Sequence, residues 1–258
     1  MGGKPTFEDL PSVWPGLEVH RFETCSASSQ DLARGLHRPG TPCLVICEEI
    51  LNARGRLGRK WYAPRGGLWF TLALGPLRLE NPWLLALAGG LSVAKALTKL
   101  AGVEARIKWP NDVLVGGKKV AGVLLEASQL GEGLELLLGV GVNVSNPLPS
   151  ELRATATTLL EETGKAFDPQ ALLVEILREL RGYLGFLAEA RSEGIISEVR
   201  ALSATIGRRV RVALPGGGEV KGYAVDVDSL GRLIVKTEDE RVVVLEAGDV
   251  EHLFHDAK

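Results

Sequence analysis

Between residues 105 and 144 the chain passes through four short β-like runs with little but turns between them. Ala105–Trp109, Asp112–Val115, Lys119–Ala127 and Leu134–Val144 are separated by Pro110-Asn111, Gly116-Gly117 and Gly131-Glu132-Gly133. Proline presets one backbone angle and glycine reaches conformations other residues avoid, so these steps are turns rather than more strand. A sheet built this way needs apolar cover, and two long stretches provide it. Trp83–Leu100 is largely apolar, and Pro169–Ala190 carries Leu172, Leu173, Ile176, Leu177, Leu180 and Leu184 on one stripe. Residues 28–38 read as a helix opened by cap-type residues, with Leu32, Ala33 and Leu36 at helical spacing. Cys43–Glu49 and Leu68–Leu74 read as strands, 52–67 as a loop, and 193–203 as a shorter helix. The expected fold class is α+β, a mixed β-sheet with packed helices.

The last fifty or so residues change character. Arg208–Leu214, Gly218–Asp226, Arg232–Thr237 and Arg241–Glu246 are short and β-branched, with Pro215-Gly-Gly-Gly218, Asp228-Ser-Leu-Gly231 and Glu238-Asp-Glu240 between them. That spacing describes a small β-barrel. We place the division at 1–204 for the large domain and 205–258 for the small one, which suits a length of 258 residues.

Thirty basic residues nearly balance thirty-two acidic ones, which argues against a bulk nucleic-acid binder. The three cysteines, Cys25, Cys43 and Cys47, are odd in number and sparse, a pattern of reduced, buried thiols in a cytoplasm rather than a disulfide framework or a zinc set. His252 and His255 have no further ligands near them in sequence and read as incidental. No signal-peptide core opens the chain, and the apolar stretch near Trp83–Val93 is broken by Gly89, Gly90 and Ser92, so no membrane span is expected.

Four segments carry chemistry. The loop Ala53-Arg-Gly-Arg-Leu-Gly-Arg-Lys-Trp61 belongs to a stretch, 52–67, with four glycines and five basic residues. Glycine allows close backbone approach, arginine supplies forked donors for phosphate or carboxylate, and Trp61 offers a face for a purine. A solvated basic loop, for instance for RNA, is the alternative. In Lys108-Trp-Pro-Asn-Asp112, Asn111 and Asp112 are ordinary turn material, whereas a turn needs neither Lys108 nor Trp109. Lys118 and Lys119 open an apolar strand, and since side chains alternate, one points away from the other. A lysine facing a cleft would neutralise charge developing on an acyl-phosphate; two solvated hairpin lysines are the alternative. Gly139-Val-Gly-Val-Asn143 puts two glycines on one face of a strand, leaving room for a ligand, and lacks the third glycine of a dinucleotide fingerprint. No phosphate-binding Gly-x-x-x-x-Gly-Lys-Ser/Thr loop occurs.

Together these segments resemble the biotin protein ligases. Gly55-Arg-Leu-Gly-Arg-Lys-Trp61, Gly66-Gly-Leu-Trp69, Lys108-Trp-Pro-Asn-Asp112, Lys119-Val-Ala-Gly122 and Gly139-Val-Gly-Val-Asn143 stand in the family's order and spacing. The resemblance, over roughly residues 20–256, implies a class II synthetase-like catalytic core with a C-terminal SH3-like barrel. It implies ATP with Mg²⁺ and biotin as reactants, a biotinyl-AMP intermediate, and a lysine of a biotin carboxyl carrier protein as acceptor. Ser28, Ser29 and Gln30 would hold the polar head of biotin, and Arg54 and Arg56 would order the loop over the adenylate. Trp61 would pack on adenine, and Lys119 would meet the reacting carboxylate and phosphate, with Asn111 and Asp112 on the nucleotide side. Lys119, Arg56 and Asp112 are thus the expected catalytic group. Gly55, Gly67, Lys108, Gly122, Gly141 and Asn143 complete the expected binding set, with no protein-held metal. The resemblance further implies a cytoplasmic enzyme, by analogy a homodimer, of the form without an N-terminal DNA-binding domain.

Two positions depart from the family's Gln-x-x-Gly-Arg-Gly-Arg. This chain has Ile50 and Ala53 in place of the Gln and the first Gly. A lost amide partner costs about 1–3 kcal/mol, so restoring it with Ile50→Gln should tighten biotin roughly tenfold, unless the loop has repacked around Ile50. Ala53 would cost about 1–2 kcal/mol if its φ were positive. A lipoate or octanoate transferase of the same fold, and a non-catalytic biotin-binding relative, stand as alternatives.

Overall fold

A computed structural model describes residues 6–253; His255 lies outside them. The chain opens with a short turn of helix α1 (Leu10–Val13), strand β1 (Glu18–Cys25), helix α2 (Ser29–Leu36) and strand β2 (Cys43–Ile50). Strand β3 (Leu68–Leu77) and helix α3 (Leu84–Ala101) lead into β4 (Ala105–Lys108), β5 (Asp112–Val115), β6 (Lys118–Leu130) and β7 (Gly133–Val142). Helices α4 (Leu159–Thr163), α5 (Pro169–Ala188) and α6 (Ser192–Leu202) follow. The seven strands form one sheet in the order β1-β2-β3-β7-β6-β5-β4. The β1–β2 pair is parallel and the other five are antiparallel, so the sheet is mixed, as expected.

Side-chain alternation divides the sheet into two faces. Leu44 and Ile46 of β2, Phe70 and Leu72 of β3, and Leu136, Leu138 and Val140 of β7 belong to the main core. Helices α3, α5 and α6 close that core, contributing Leu91, Leu97, Leu173, Ile176, Leu180 and Ile195. Each such side chain stabilises the fold by roughly 1.5–3 kcal/mol when fully buried. Gly89 lets α3 lie close on the sheet, since a Cβ there would sit 3.1 Å from Val123 Cγ1. Helix α3 is long and apolar enough to cross a membrane, contrary to our sequence-based expectation for this stretch, but 67% of it is buried in the protein. It is a core helix.

The opposite face is different. It carries a smaller cluster of Cys43, Val45, Cys47, Ile50, Trp69, Ala73 and Leu137 under α2. Next to that cluster the residues become small, and that is where the candidate site forms.

The cysteine expectation is corrected. Cys25 and Cys47 are joined in a disulfide, and Cys43 alone is a free, buried thiol. The two Cα atoms lie 6.1 Å apart although 22 residues of sequence separate them. A spacing of that length carries no pairing signal. Burial, with Glu18 adding to it, raises the Cys43 thiol to about 11, so it stays protonated.

Past α6 the chain forms β8 (Arg209–Ala213), β9 (Glu219–Val227), β10 (Leu233–Thr237), β11 (Val242–Leu245) and β12 (Asp249–His252). They make a five-stranded antiparallel sheet ordered β11-β10-β9-β8-β12. Val210, Val212, Ala224, Leu233 and Val235 fill its interior. This unit is docked on the large sheet by Trp109. Its indole Nε1 donates to the Gly231 carbonyl at 2.9 Å and its backbone N–H to Thr205 Oγ1 at 3.1 Å.

Candidate active site

The site face has a floor of small residues held in register. Cys47 pairs with Trp69, Trp69 with Gly141, Gly141 with Gly122, and Gly122 with Asp112, a row running across five strands. One row further along, Thr71 pairs with Gly139 and Gly139 with Leu124. Glycine at 122, 139 and 141 removes three side chains from the middle of the sheet, and the hollow is the result.

Gln30, Trp61 and Lys119 lie over it. A Cβ at Gly141 would be 3.0 Å from the Trp61 ring, and one at Gly139 would be 2.7 Å from Gln30 Nε2. Gln30 Nε2 and Trp61 Nε1 are both buried with no hydrogen-bond partner among the described residues. Orphaned buried donors are costly and rare, so each marks a place where a ligand acceptor fits. The neighbouring hydroxyls are already engaged. Thr71 Oγ1 donates to Ser29 Oγ at 2.8 Å, while Ser28 Oγ accepts from the Asp31 N–H and donates to the Asp31 carboxylate, capping α2.

The loop over the hollow is tied at both ends. Arg54 makes a bidentate contact with Asp31, at 3.0 and 2.6 Å, and reaches Glu126 at 3.2 Å. Burial would raise the Asp31 carboxyl, but the hydrogen bonds from Arg54 and Ser28 and the charge of Arg34 together hold it below the usual range. Arg56 is turned inward, donating to Asn111 Oδ1 and to the Gly248 carbonyl, each at 3.2 Å. Burial lowers the Arg56 guanidinium from its ordinary value, against the pull of Asp112 and Asp249. Leu57, at the loop tip, has a φ of 57° and is exposed.

Lys119 is the lysine that faces the cleft. Its Nζ lies 2.5 Å from Asp112 Oδ1 and 5.0 Å from the Trp61 ring centroid. Lys118 points out and donates to the Arg153 carbonyl at 3.0 Å. The alternation expected of this pair is present.

Ser28, Ser29, Gln30, Arg54, Gly55, Arg56, Trp61, Asn111, Asp112, Lys119, Gly122 and Gly141 all line this one cavity. Three expected residues do not. Gly67 is a packing glycine, since a Cβ there would fall 2.0 Å from the Trp69 ring. Asn143 is buried, and its amide donates to the Thr157 carbonyl at 3.1 Å, tying β7 to the segment before α4. Lys108 stands at the end of β4 outside the cavity, where its charge bears on Asp249. Conversely, Asp249 lines the cavity from the C-terminal unit, and nothing in its local sequence marks it. Gly139 also lines it, as the paired glycines of its strand led us to expect, and so do Arg59, Lys60 and Trp69, for which no role of their own was expected from the sequence.

The two departures from the expected pattern are both in the cavity wall. Ala53 is not among the non-glycine residues with positive φ, which are Leu57, Ala190 and Glu240 among those described. The anticipated strain is absent. Ile50 is buried against the apolar cluster, and its N–H donates to the Ala63 carbonyl at 2.9 Å.

Residues 38–143 match the biotin/lipoate A/B protein ligase family, and residues 205–253 match the biotin protein ligase C-terminal domain. The biotin–[acetyl-CoA-carboxylase] ligase of Mycobacterium tuberculosis is 38% identical over 94% of this chain and 91% of its own length. The chain belongs to the biotin protein ligase family. Its similarity extends to the ligase of Paracoccus denitrificans, 32% identical over 87% of this chain and 95% of that one. Among solved structures, the biotin protein ligase from Aquifex aeolicus in complex with biotin and ATP superposes with a TM-score of 0.81. It is 29% identical, and the match covers 92% of this chain and 99% of that one. The α+β core with its small C-terminal β unit is thus the ligase fold.

Proposed function

We propose that this chain activates biotin with MgATP to biotinyl-AMP and passes the acyl group to a lysine of a biotin carboxyl carrier domain. The observation that carries the reading is one cavity with unlike ends. At one end Gln30 presents an unspent amide donor beside Ile50, Ala53 and Trp69, an environment for a mostly apolar acid with a polar head. At the other, Arg56, Lys119, Asn111 and Asp112 converge, an environment for phosphate. Between them lies the Trp61 ring.

In the first step a biotin carboxylate oxygen attacks the α-phosphorus of ATP, the bond to the bridging oxygen breaks, and pyrophosphate leaves. Negative charge builds on the α-phosphate oxygens. Lys119 and Arg56 neutralise it, and both are held in advance by Asp112, Asn111 and the Gly248 carbonyl, so little reorganisation is required. Asp112 serves by positioning Lys119. Gly55, Gly122 and Gly141 let loop and ligand approach the sheet. Mg²⁺ enters as part of the nucleotide substrate: the cavity's carboxylates, Asp112 and Asp249, already pair with Lys119 and Arg59. In the second step the neutral ε-amine of the acceptor lysine attacks the acyl carbon, AMP leaves with the bonding pair of the C–O bond, and the proton shed by the nitrogen passes to solvent.

We place the catalytic domain at 1–204 and the barrel domain at 205–258. A cytoplasmic enzyme and a homodimer belong to the same proposal, the latter tested by sedimentation velocity. The activity is tested by incubating the chain with MgATP, biotin and a carboxyl carrier domain. One biotinyl group should appear on one acceptor lysine by mass spectrometry. Modification with lipoate or octanoate instead would favour the related acyl transferases, and none with any acid would favour a binding protein.

A further inference from the structure

The C-terminal unit reaches into the site through the step Gly248-Asp249. Asp249 Oδ2 lies 2.5 Å from Arg59 Nη2, and the Gly248 carbonyl accepts from Arg56 at 3.2 Å. The step itself is firmly placed. Asp249 pairs with Ala213 of β8, and a Cβ on Gly248 would fall 2.4 Å from Val212 Cγ1, so the backbone hugs the strand beneath it. The barrel is in turn fixed to the sheet by Trp109 and by the Ala204 N–H to Ile107 carbonyl bond at 2.7 Å. The loop's other end is held by Arg54 on Asp31 and Glu126. Leu57 sits between the two ties in the left-handed region, a conformation a leucine does not hold unaided.

A carboxylate is an odd group to place in a cavity meant for a polyphosphate, where it repels the ligand. Its geometry accounts for it differently. Asp249 faces the loop arginine. Hydrogen bonding from Arg59, with further help from the Lys108 and Arg56 charges, outweighs burial and holds its carboxyl below the usual range, so it stays ionised. Both partners are about half exposed, so the tie is weak and reversible, as a loop that must open for ligands requires.

We propose that Asp249 is a positioning residue for the nucleotide step: with the Gly248 carbonyl it latches the 53–61 loop to the C-terminal barrel and keeps Arg56 over the cavity. This deepens the ligase reading and rests on it for the choice of nucleotide. The latch sets how often the loop is closed, and therefore how well ATP binds. It leaves the biotin end, which Arg54 and Gln30 organise, unchanged.

The test compares wild type, Asp249→Ala, Asp249→Glu, Arg59→Gln and the Asp249→Ala/Arg59→Gln double variant. Loop opening is read without ligands from the initial rate of tryptic cleavage after Arg56, a site common to all five. Asp249→Ala should raise that rate about fivefold, the shift one exposed charge pair supports. Asp249→Glu should restore it, and the double variant should be no worse than either single one. Half-molar salt should bring wild type towards the variant, because a pair this exposed is screened. In biotin-dependent pyrophosphate exchange, Asp249→Ala should raise the ATP KM about fivefold while kcat stays within twofold. The biotin Kd should not move. Unchanged cleavage and ATP KM in Asp249→Ala would overturn the latch, as would additive effects in the double variant or equal losses for biotin and ATP. If wild type shows no exchange at all, the ligase reading fails, and the cleavage assay still decides the latch.

Discussion

Gly139→Ala separates the site's chemistry from the fold's stability. Gly139 sits mid-strand without a positive φ, so alanine suits its backbone, and removing glycine restricts the unfolded chain by about 0.4–1 kcal/mol in favour of folding. The new Cβ would lie 2.7 Å from Gln30 Nε2 and 3.0 Å from Gln30 Cδ. Ordinary contact needs about 3.5 Å or more, so the amide must retreat on the order of 1 Å. A flexible side-chain end does so cheaply, and stability should hold or rise slightly. A hydrogen bond from Gln30 Nε2 to a ligand does not survive such a displacement. Losing it costs about 1–3 kcal/mol, a Kd for biotin roughly five- to 150-fold weaker. Gly67→Ala is the control with the opposite signature. Its Cβ would meet the Trp69 ring at 2.0 Å, where Trp69 is fully buried, and overpacking of that kind costs about 1–3 kcal/mol of stability. Calorimetric biotin titration and urea unfolding on both variants decide the matter. If Gly139→Ala binds biotin within twofold of wild type at unchanged stability, Gln30 is not the contact that defines this end of the cavity.

The other expectations are independent of that one. Ile50→Gln should lower stability by about 1–3 kcal/mol and leave biotin no tighter, because Ile50 is packed among Cys47, Ala63 and Trp69 and a buried amide there lacks a partner; a tenfold gain in affinity would contradict the packing. Thiol titration of the denatured, unreduced protein should find one free thiol per chain, Cys43, whereas three would contradict the Cys25–Cys47 bond. Removing both bonded cysteines should cost about 2–4 kcal/mol of stability. Burial, with the Lys108 and Arg208 charges, depresses His252 to about 4 from 6.5, so its contribution is fully present above pH 6.5 and is lost as pH falls towards 4. Relative to His252→Asn, wild type should therefore lose about 2 kcal/mol between pH 7.5 and pH 5 in urea unfolding, and equal losses would refute the assignment.

Much of this architecture was legible because its elements are strongly patterned. The apolar stretches at 83–100 and 169–190 became α3 and α5 within a residue or two. The turn-separated runs from 105 became β4 to β7, in hairpin order. What stayed hidden is where local sequence and tertiary role part company. Strand β1 (Glu18–Cys25) is an edge strand that mixes polar residues with exposed Val19 and Phe22, so it shows neither an apolar run nor clean alternation. Strand β12 is four residues long and reads as Asp-Val-Glu-His. Its Asp249 joins the cavity through the docking of one domain on another, a relation no sequence window contains. The motif residues were easier to find than to assign. Gly67 and Asn143 stand in the same motifs as Gly55 and Gly141, yet they pack and tie rather than line the cavity: Gly67 lies just before β3 and Asn143 just after β7, past the part of the sheet that floors the site. Ile50 and Ala53 show the reverse case, two departures that the apolar cluster and a non-positive φ accommodate.

The central claim is that the cavity joins a biotin-accepting end to a phosphate-binding end and that Lys119 supplies the charge at the junction. Biotin-dependent exchange of labelled pyrophosphate into ATP, run on wild type beside Lys119→Ala, tests it most directly. Wild type should exchange only when biotin is present. Lys119→Ala should be slower by about 10²–10³, the usual effect of removing one preorganised stabiliser of developing charge, with its thermal unfolding unchanged. Exchange without biotin, or a Lys119→Ala variant retaining half the wild-type rate, would contradict the account.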